Sequence, residues 1–286
     1  MLKRAVVLHH PQSEGAAAFS RQVAEEFQRR EIEAIVSDAW ADDAGAQIHS
    51  AGLVICVGGD GTVLRAARVT IPHDVPILGV NMGRLGFLTD LSPRDLFNYI
   101  ERVIAMDWRI ESRIMVRADL HLAEDDAKHR TYHALNDVVI SRSSPGRPIY
   151  VAVSVDGAHV AVYRCDGIIV ATPTGSTGYS LAAGGPIMSP TEHHLVLTPV
   201  SAHMALARSL VLQPDSVIEL RVTSDHGAIL SVDGQEDMPV DSGILLRVSV
   251  SEYITDFARF HPASSFYADL AEKLEFQLSS RTYSGG

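Results

Sequence analysis

The chain has 286 residues, enough for one large or two ordinary domains with real cores. Its net charge of −11, with histidine neutral, argues against a broad nucleic-acid or anionic-membrane surface and leaves room for a small basic pocket. Two cysteines, Cys56 and Cys165, give neither a disulfide framework nor a zinc spacing and fit a reducing cytoplasm; no apolar run reaches membrane-spanning length, and Met1–Leu8 is too short for a signal segment.

Residues 1–105 alternate strand and helix signals. Ala5–Leu8 reads as a strand, and Gly15–Arg30 as a helix with Ala18, Val23 and Phe27 on one face. Ile32–Val36 reads as a second strand, followed by an acidic loop rich in Ala and Asp. Gly52–Val57 is a third strand and Pro76–Val80 a fourth; Asp95–Ile104 is a helix with Ser92-Pro93 as its start signal. Strands alternating with helices predict a parallel, doubly wound sheet, with ligands bound beyond the carboxyl ends of its strands.

The third strand runs into Gly58-Gly59-Asp60-Gly61-Thr62, and Val63–Arg68 then reads as the first turns of a helix. Glycines at such a junction let backbone amides approach a polyphosphate, and Asp60 would face whatever is bound there. The plainer alternative is a tight turn with a capping Asp. The chain has no G-x-G-x-x-G run, no Gly-Lys pair and no kinase-type His-Arg-Asp or Asp-Phe-Gly motif. If this is a phosphate site, it is of another kind.

From about residue 110 the pattern becomes short and β-rich: Ile114–Leu122, Ala134–Ser141, Tyr150–Val155, His159–Arg164, Gly167–Thr172, Leu195–Thr198, Val217–Val222, Ala228–Val232 and Ile244–Val250. Asp156-Gly157 is a hairpin signal between two of these runs, so a mainly antiparallel second domain is expected. A last helical pattern covers Ser265–Phe276.

Two polar stretches stand out in this half. One is Asp166-Gly167 followed by Thr172-Pro173-Thr174-Gly175-Ser176-Thr177-Gly178-Tyr179-Ser180 and a short Ala-rich helix. Its hydroxyls and free amides suit hydrogen bonding to a base or ribose, and Tyr179 offers a stacking face; a loop capping a helix through Thr177 or Ser176 is the alternative. The other is Asn136-Asp137, either a turn at a strand start or a two-armed clamp on sugar hydroxyls or an amide.

Together with Asn81-Met82-Gly83-Arg84-Leu85-Gly86-Phe87-Leu88-Thr89, these stretches resemble, in order and spacing, the NAD kinase family. The Gly-Gly-Asp-Gly turn alone is also similar to that of diacylglycerol and sphingosine kinases; the Thr-Pro-Thr-Gly-Ser-Thr stretch is the more specific part. The resemblance implies ATP-dependent phosphorylation of the 2′-hydroxyl of the adenosine ribose of NAD, giving NADP. It implies an α/β domain over 1–108 and a β-rich NAD-binding domain over 109–262. Residues 263–286 would form a helix returning to the first domain, plus a tail.

By the same resemblance, Asp60 falls on the catalytic aspartate. Gly61, Arg65, Phe87, Asn136, Asp137, Arg147, Arg164, Asp166, Thr174, Thr177, Gly178, Tyr179, Ala182 and Gln235 fall on substrate-binding positions. Gly178 stands where the motif commonly has Ala, and Ala182 where the family usually has a serine. The later Pro-His-Thr-Leu…Arg-Pro segment is reduced to Ala202-His203-Met204-Ala205…Arg208-Ser209. Mg2+ or another divalent metal enters with ATP, with no protein ligand assigned. The expected partners are NAD and ATP, without nucleic acid or membrane, in a cytoplasmic homo-oligomer, dimer or tetramer. The rival functions are a lipid kinase sharing the glycine turn and a non-catalytic dinucleotide sensor.

Overall fold

A computed structural model describes residues 1–83, 86–121, 129–202, 208–224 and 227–272. The chain divides into two compact units. The first comprises 1–66, 75–111 and the segment from 257 onward; the second comprises 67–74 and 112–256.

In the first unit the elements run β1 (Arg4–His9), α1 (Glu14–Gln28), β2 (Glu33–Asp38), α2 (Ala44–Ile48), β3 (Leu53–Gly58), α3 (Asp60–Thr70, of which 60–66 belong here), β4 (Ile77–Asn81), α4 (Pro93–Asn98) and α5 (Ile100–Ala105). The strands are parallel in the order β2-β1-β3-β4. Every residue of β3 and β4 is buried, as expected of strands covered on both faces. Their side chains join α1 residues in one core with Val7, Phe27, Leu53, Ile55, Leu78 and Val80.

Ser13 caps α1, its Oγ accepting the Ala16 N–H at 3.2 Å. The buried face of α1 is Ala16, Phe19, Ser20, Val23, Ala24 and Phe27. Ala18, expected on that face, is exposed: it sits two residues from Ala16, about 200° round the helix. Val23 and Phe27 are buried as expected. The acidic loop holds the short helix α2. The helix expected over Asp95–Ile104 is two helices, because Tyr99 (φ −100°, ψ 10°) departs from helical backbone and stacks on Phe260 at 5.4 Å.

The second unit carries β5 (Arg109–His121, from Ser112 on), β6 (His129–Ala134), β7 (Asp137–Arg142), β8 (Ile149–Val155), β9 (Ala158–Cys165), β10 (Gly167–Ala171), a 3-10 turn (Gly175–Thr177) and α6 (Tyr179–Ala182). Then follow β11 (Leu195–Val200), β12 (Leu210–Leu212), β13 (Ile218–Val222), β14 (Ala228–Val232), β15 (Glu236–Val240) and β16 (Leu245–Arg259). One antiparallel sheet has the order β12-β11-β10-β7-β14-β15. A second runs β16-β13-β8-β9, with β5 beside β16 and β6 beside β5. Inward residues of both, among them Val116, Ile140, Val153, Val170, Leu220 and Leu230, form a single core.

The Asp156-Gly157 hairpin is present, with φ of +52° and +78°. Three strands escaped the sequence reading. β6 and β15 are polar and largely solvent-facing, and β12 has three residues. β16 is fifteen residues long rather than ending near Val250, because the polar run 251–256 stays extended. Its last residues belong to the first unit, where Phe257 pairs with Ile77 of β4 in parallel. Residues 265–272 are helical and also fall in the first unit; the expected continuation over 273–276 lies outside the described residues.

Candidate active site

One candidate site, in the first unit, stands at the carboxyl end of β3. Asp60 is the first residue of α3, and its carboxylate accepts the Phe87 N–H at 2.8 Å and the Leu88 N–H at 3.0 Å. Each oxygen keeps further acceptor capacity for a hydroxyl. The glycines beside it do different work. A Cβ on Gly58 would lie 2.4 Å from Thr62 Oγ1, so Gly58 is required by the turn itself. Gly59 and Gly61 are exposed, with no described atom within 4 Å of where a Cβ would be, so the space beside them is open among the described residues.

Arg65, one turn on, is half-buried and donates through Nε to Ala39 O at 3.1 Å. Phe87 is half-buried, and its N–H is one of the two donors to Asp60. Arg84 and Leu85 of the same motif lie outside the described residues.

A second candidate site is built in the second unit, at the start of β7. Leu135 and Asn136 form the bend between β6 and β7. That bend is held by Asp233, which sits in the turn between β14 and β15 with φ +53°. The Asp233 carboxylate accepts the N–H groups of Leu135 (3.0 Å), Asn136 (2.7 Å) and Asp137 (3.2 Å), and its own N–H donates to Asp137 O. Burial raises the Asp233 carboxyl above its ordinary range, opposed by the three amides and by Arg68. Asp137 is pushed up to about 7, first by burial and then by the Asp233 charge. Asn136, Asp137, Tyr179, Ser231, Gly234 and Asp237 are among the residues lining a cavity of about 480 Å³ beside this bend.

The hydroxyl-rich loop closes against the same bend. Thr172 N–H donates to Asn136 O at 2.8 Å, and a Cβ on Gly175 would fall 2.1 Å from that oxygen. Ser176 and Thr177 do not cap α6. Their hydroxyls turn back to Pro173 O (2.6 Å) and Thr174 O (3.1 Å), leaving Gly178 at the cap position with no side-chain bond. Most of these hydroxyls therefore build the loop. Thr174 Oγ1 is the exception: it is buried and has no hydrogen-bond partner among the described residues. Gly178 and Ala182 are exposed, and Tyr179 is 47 % exposed at the cavity.

Not every expected residue gathers here. Gln235 forms the β14–β15 turn through its N–H to Val232 O. Arg147 is exposed in the β7–β8 connection and Arg164 on β9. Asp166 pairs with Arg142 at 2.9 Å, beyond the far end of β10 from Thr172. The length of β10 alone separates them by about 13 Å at the usual strand rise. Asp233, Ser231 and Asp237 were not singled out from the sequence. The signal for Asp233 was available: Val-Asp-Gly at 232–234 repeats the Asp-Gly turn chemistry seen at 156–157.

Family models match both halves of the chain. Residues 11–108 match the model of the ATP-NAD kinase N-terminal domain, and 135–260 match that of the ATP-NAD kinase C-terminal domain. An NAD kinase of Dehalococcoides mccartyi is 38% identical over 276 residues, covering 96% of this chain and 97% of that protein. The NAD kinase from Archaeoglobus fulgidus, solved in complex with ATP, superposes with a TM-score of 0.77 at 27% identity, over 94% of this chain and 98% of that one. Yeast NADH kinase, solved with NADH, shares the fold at a TM-score of 0.86 and 22% identity, over 96% of this chain and 88% of that one. The chain belongs to the NAD kinase family.

Proposed function

We propose that Asp60 is the general base of the family's reaction, the phosphorylation of NAD by ATP to give NADP. As the adenosine ribose 2′-oxygen attacks the γ-phosphorus of ATP, its proton passes to the Asp60 carboxylate and ADP leaves. The observation that carries this reading is the orientation of that carboxylate, fixed by the N–H groups of Phe87 and Leu88 at the carboxyl end of β3. The open backbone at Gly59 and Gly61 suits an approaching triphosphate, and Arg65 supplies a nearby positive charge.

Asn136 and Asp137 hold the dinucleotide through its hydroxyl and amide groups, while Tyr179 offers a ring face and the unpartnered Thr174 hydroxyl a hydrogen bond. Thr177, Gly178, Ala182, Gln235 and Phe87 complete the assigned contacts. Mg2+ enters bound to the ATP phosphates, as part of the substrate. Arg147, Arg164 and Asp166 are assigned to the dinucleotide of a second copy of the chain, in a homo-oligomer; Asp166 stands beyond the far end of β10 from Thr172. Cys56 and Cys165, free and buried, suit a cytoplasmic setting, and no described helix is long and apolar enough to cross a membrane.

The test is a coupled assay with the purified chain, Mg2+-ATP and NAD, NADP being read by an NADP-specific dehydrogenase. NADP formation that requires both the metal and Asp60 supports the proposal; a folded Asp60→Asn protein with unchanged turnover would sink it.

A further inference from the structure

We propose that Arg259 is a positioning residue for Asp60, acting through the main chain of Leu88. The inference rests on the reading of Asp60 as the general base. Its geometry lies wholly in the first unit.

Leu88 is held from both sides of its backbone. Its N–H donates to Asp60 Oδ1 at 3.0 Å, and its carbonyl accepts from Arg259 Nη1 at 3.1 Å. Arg259, the last residue of β16, is 6 % exposed. It is itself fixed: Nε donates to Glu111 Oε1 at 3.1 Å, Nη1 lies 3.7 Å from Asp90 Oδ1, and the guanidinium sits 4.9 Å from the Phe257 ring centroid. Asp90 is tied in turn by the Phe260 N–H at 2.8 Å and faces His261 Nδ1 at 3.4 Å, while Glu111 also pairs with Arg109 at 2.9 Å.

The segment that donates to Asp60 is thereby locked at its far end. Asp90 N–H and Leu91 N–H both reach Gly79 O on β4, and Gly86 N–H reaches Thr89 Oγ1 at 3.3 Å. Between these anchors, the Leu88 carbonyl is held by Arg259. A buried ion cluster adds little net stability compared with apolar packing, whereas it fixes geometry closely. Here the geometry fixed is the direction of the amide that aims the Asp60 carboxylate. A sub-ångström shift of a reacting carboxylate is enough to slow a transfer step.

The experiment uses Arg259→Lys, which keeps the charge and loses the fork, made in the wild-type and Asp60→Asn backgrounds. We expect Arg259→Lys to lower kcat about tenfold with the KM for NAD within about twofold, and the loss to vanish when Asp60 is already Asn. Hydrogen exchange at the Phe87 and Leu88 amides should quicken in Arg259→Lys while amides of β1 and β3 hold. Equal fold-losses in both backgrounds, or unchanged exchange at Leu88, would overturn the proposal. Unchanged turnover in Asp60→Asn alone would instead overturn the role given to Asp60, and the exchange result would still decide whether Arg259 positions Leu88.

Discussion

The carboxylate of Asp60 occupies the space a side chain on Gly86 would need: a Cβ there would lie 1.9 Å from Oδ1 and 2.6 Å from Cγ. Glycine at 86 is therefore a packing requirement of the aspartate. Because the clash is with a side-chain end, Gly86→Ala should be relieved by rotation of Asp60 away from the Phe87 and Leu88 amides. The expected outcome is a turnover loss of about 10²-fold with little change in melting temperature, read by the coupled assay and a thermal scan. A large drop in melting temperature with turnover kept would point to backbone displacement instead.

Asp60→Asn tests the base directly. The carboxamide has one oxygen acceptor where the carboxylate offers two to the Phe87 and Leu88 N–H groups. It can neither take a proton nor keep the same orientation. Turnover should fall by about two orders of magnitude or more, with NAD affinity measured by calorimetry nearly intact.

Asp137 predicts a pH dependence whose sign is fixed. Its folded pKa of about 7 stands above the ordinary value of 3.8. The folded state therefore holds a proton that the unfolded chain has lost between these two values. Stability from this group is fully present below the unfolded pKa and is lost as pH rises through about 7. Asp137→Asn mimics the neutral form, so its melting temperature relative to wild type should rise more at pH 8 than at pH 5. An offset independent of pH would refute the assignment.

Gly175→Ala should damage the second unit rather than the first. Its Cβ would meet the carbonyl of Asn136 at 2.1 Å, which is backbone and cannot swing aside. A loss of about 1–3 kcal/mol is expected from overpacking, with a raised KM for NAD as the Asn136 bend shifts. Urea denaturation and the KM-against-kcat split measure the two effects.

Much of this was legible in the residues. The alternation of strands and helices over 1–105 and the change to short β runs near 110 follow from local apolar periodicity. The turn holding Asp60 and the bend at Asn136-Asp137 were marked by polar residues at strand ends. What the sequence hid depends on long-range partners. Asp233 supports Asn136 from 97 residues away, and Arg259 reaches Leu88 across 171. No local spacing encodes such pairs. The hydroxyls of 172–177 could be read as ligand donors or as a helix cap; in the structure Ser176 and Thr177 donate within their own loop and neither caps α6. Strands such as β6 were missed because a solvent-facing edge needs no apolar alternation.

The way β16 crosses from the second unit into the first has a consequence for synthesis. The segment from 257 onward, with Phe257, Ala258 and Arg259 at its head, completes a unit whose remaining residues emerge before position 112. While the ribosome makes the intervening 145 residues, from 112 to 256, the first unit lacks Phe257, the β16 partner of Ile77. It also lacks Arg259, the buried cation beside Asp90 and Glu111. Nascent chains stalled before residue 257 should then show a protease-sensitive first unit, and release of the last segment should protect it in one step.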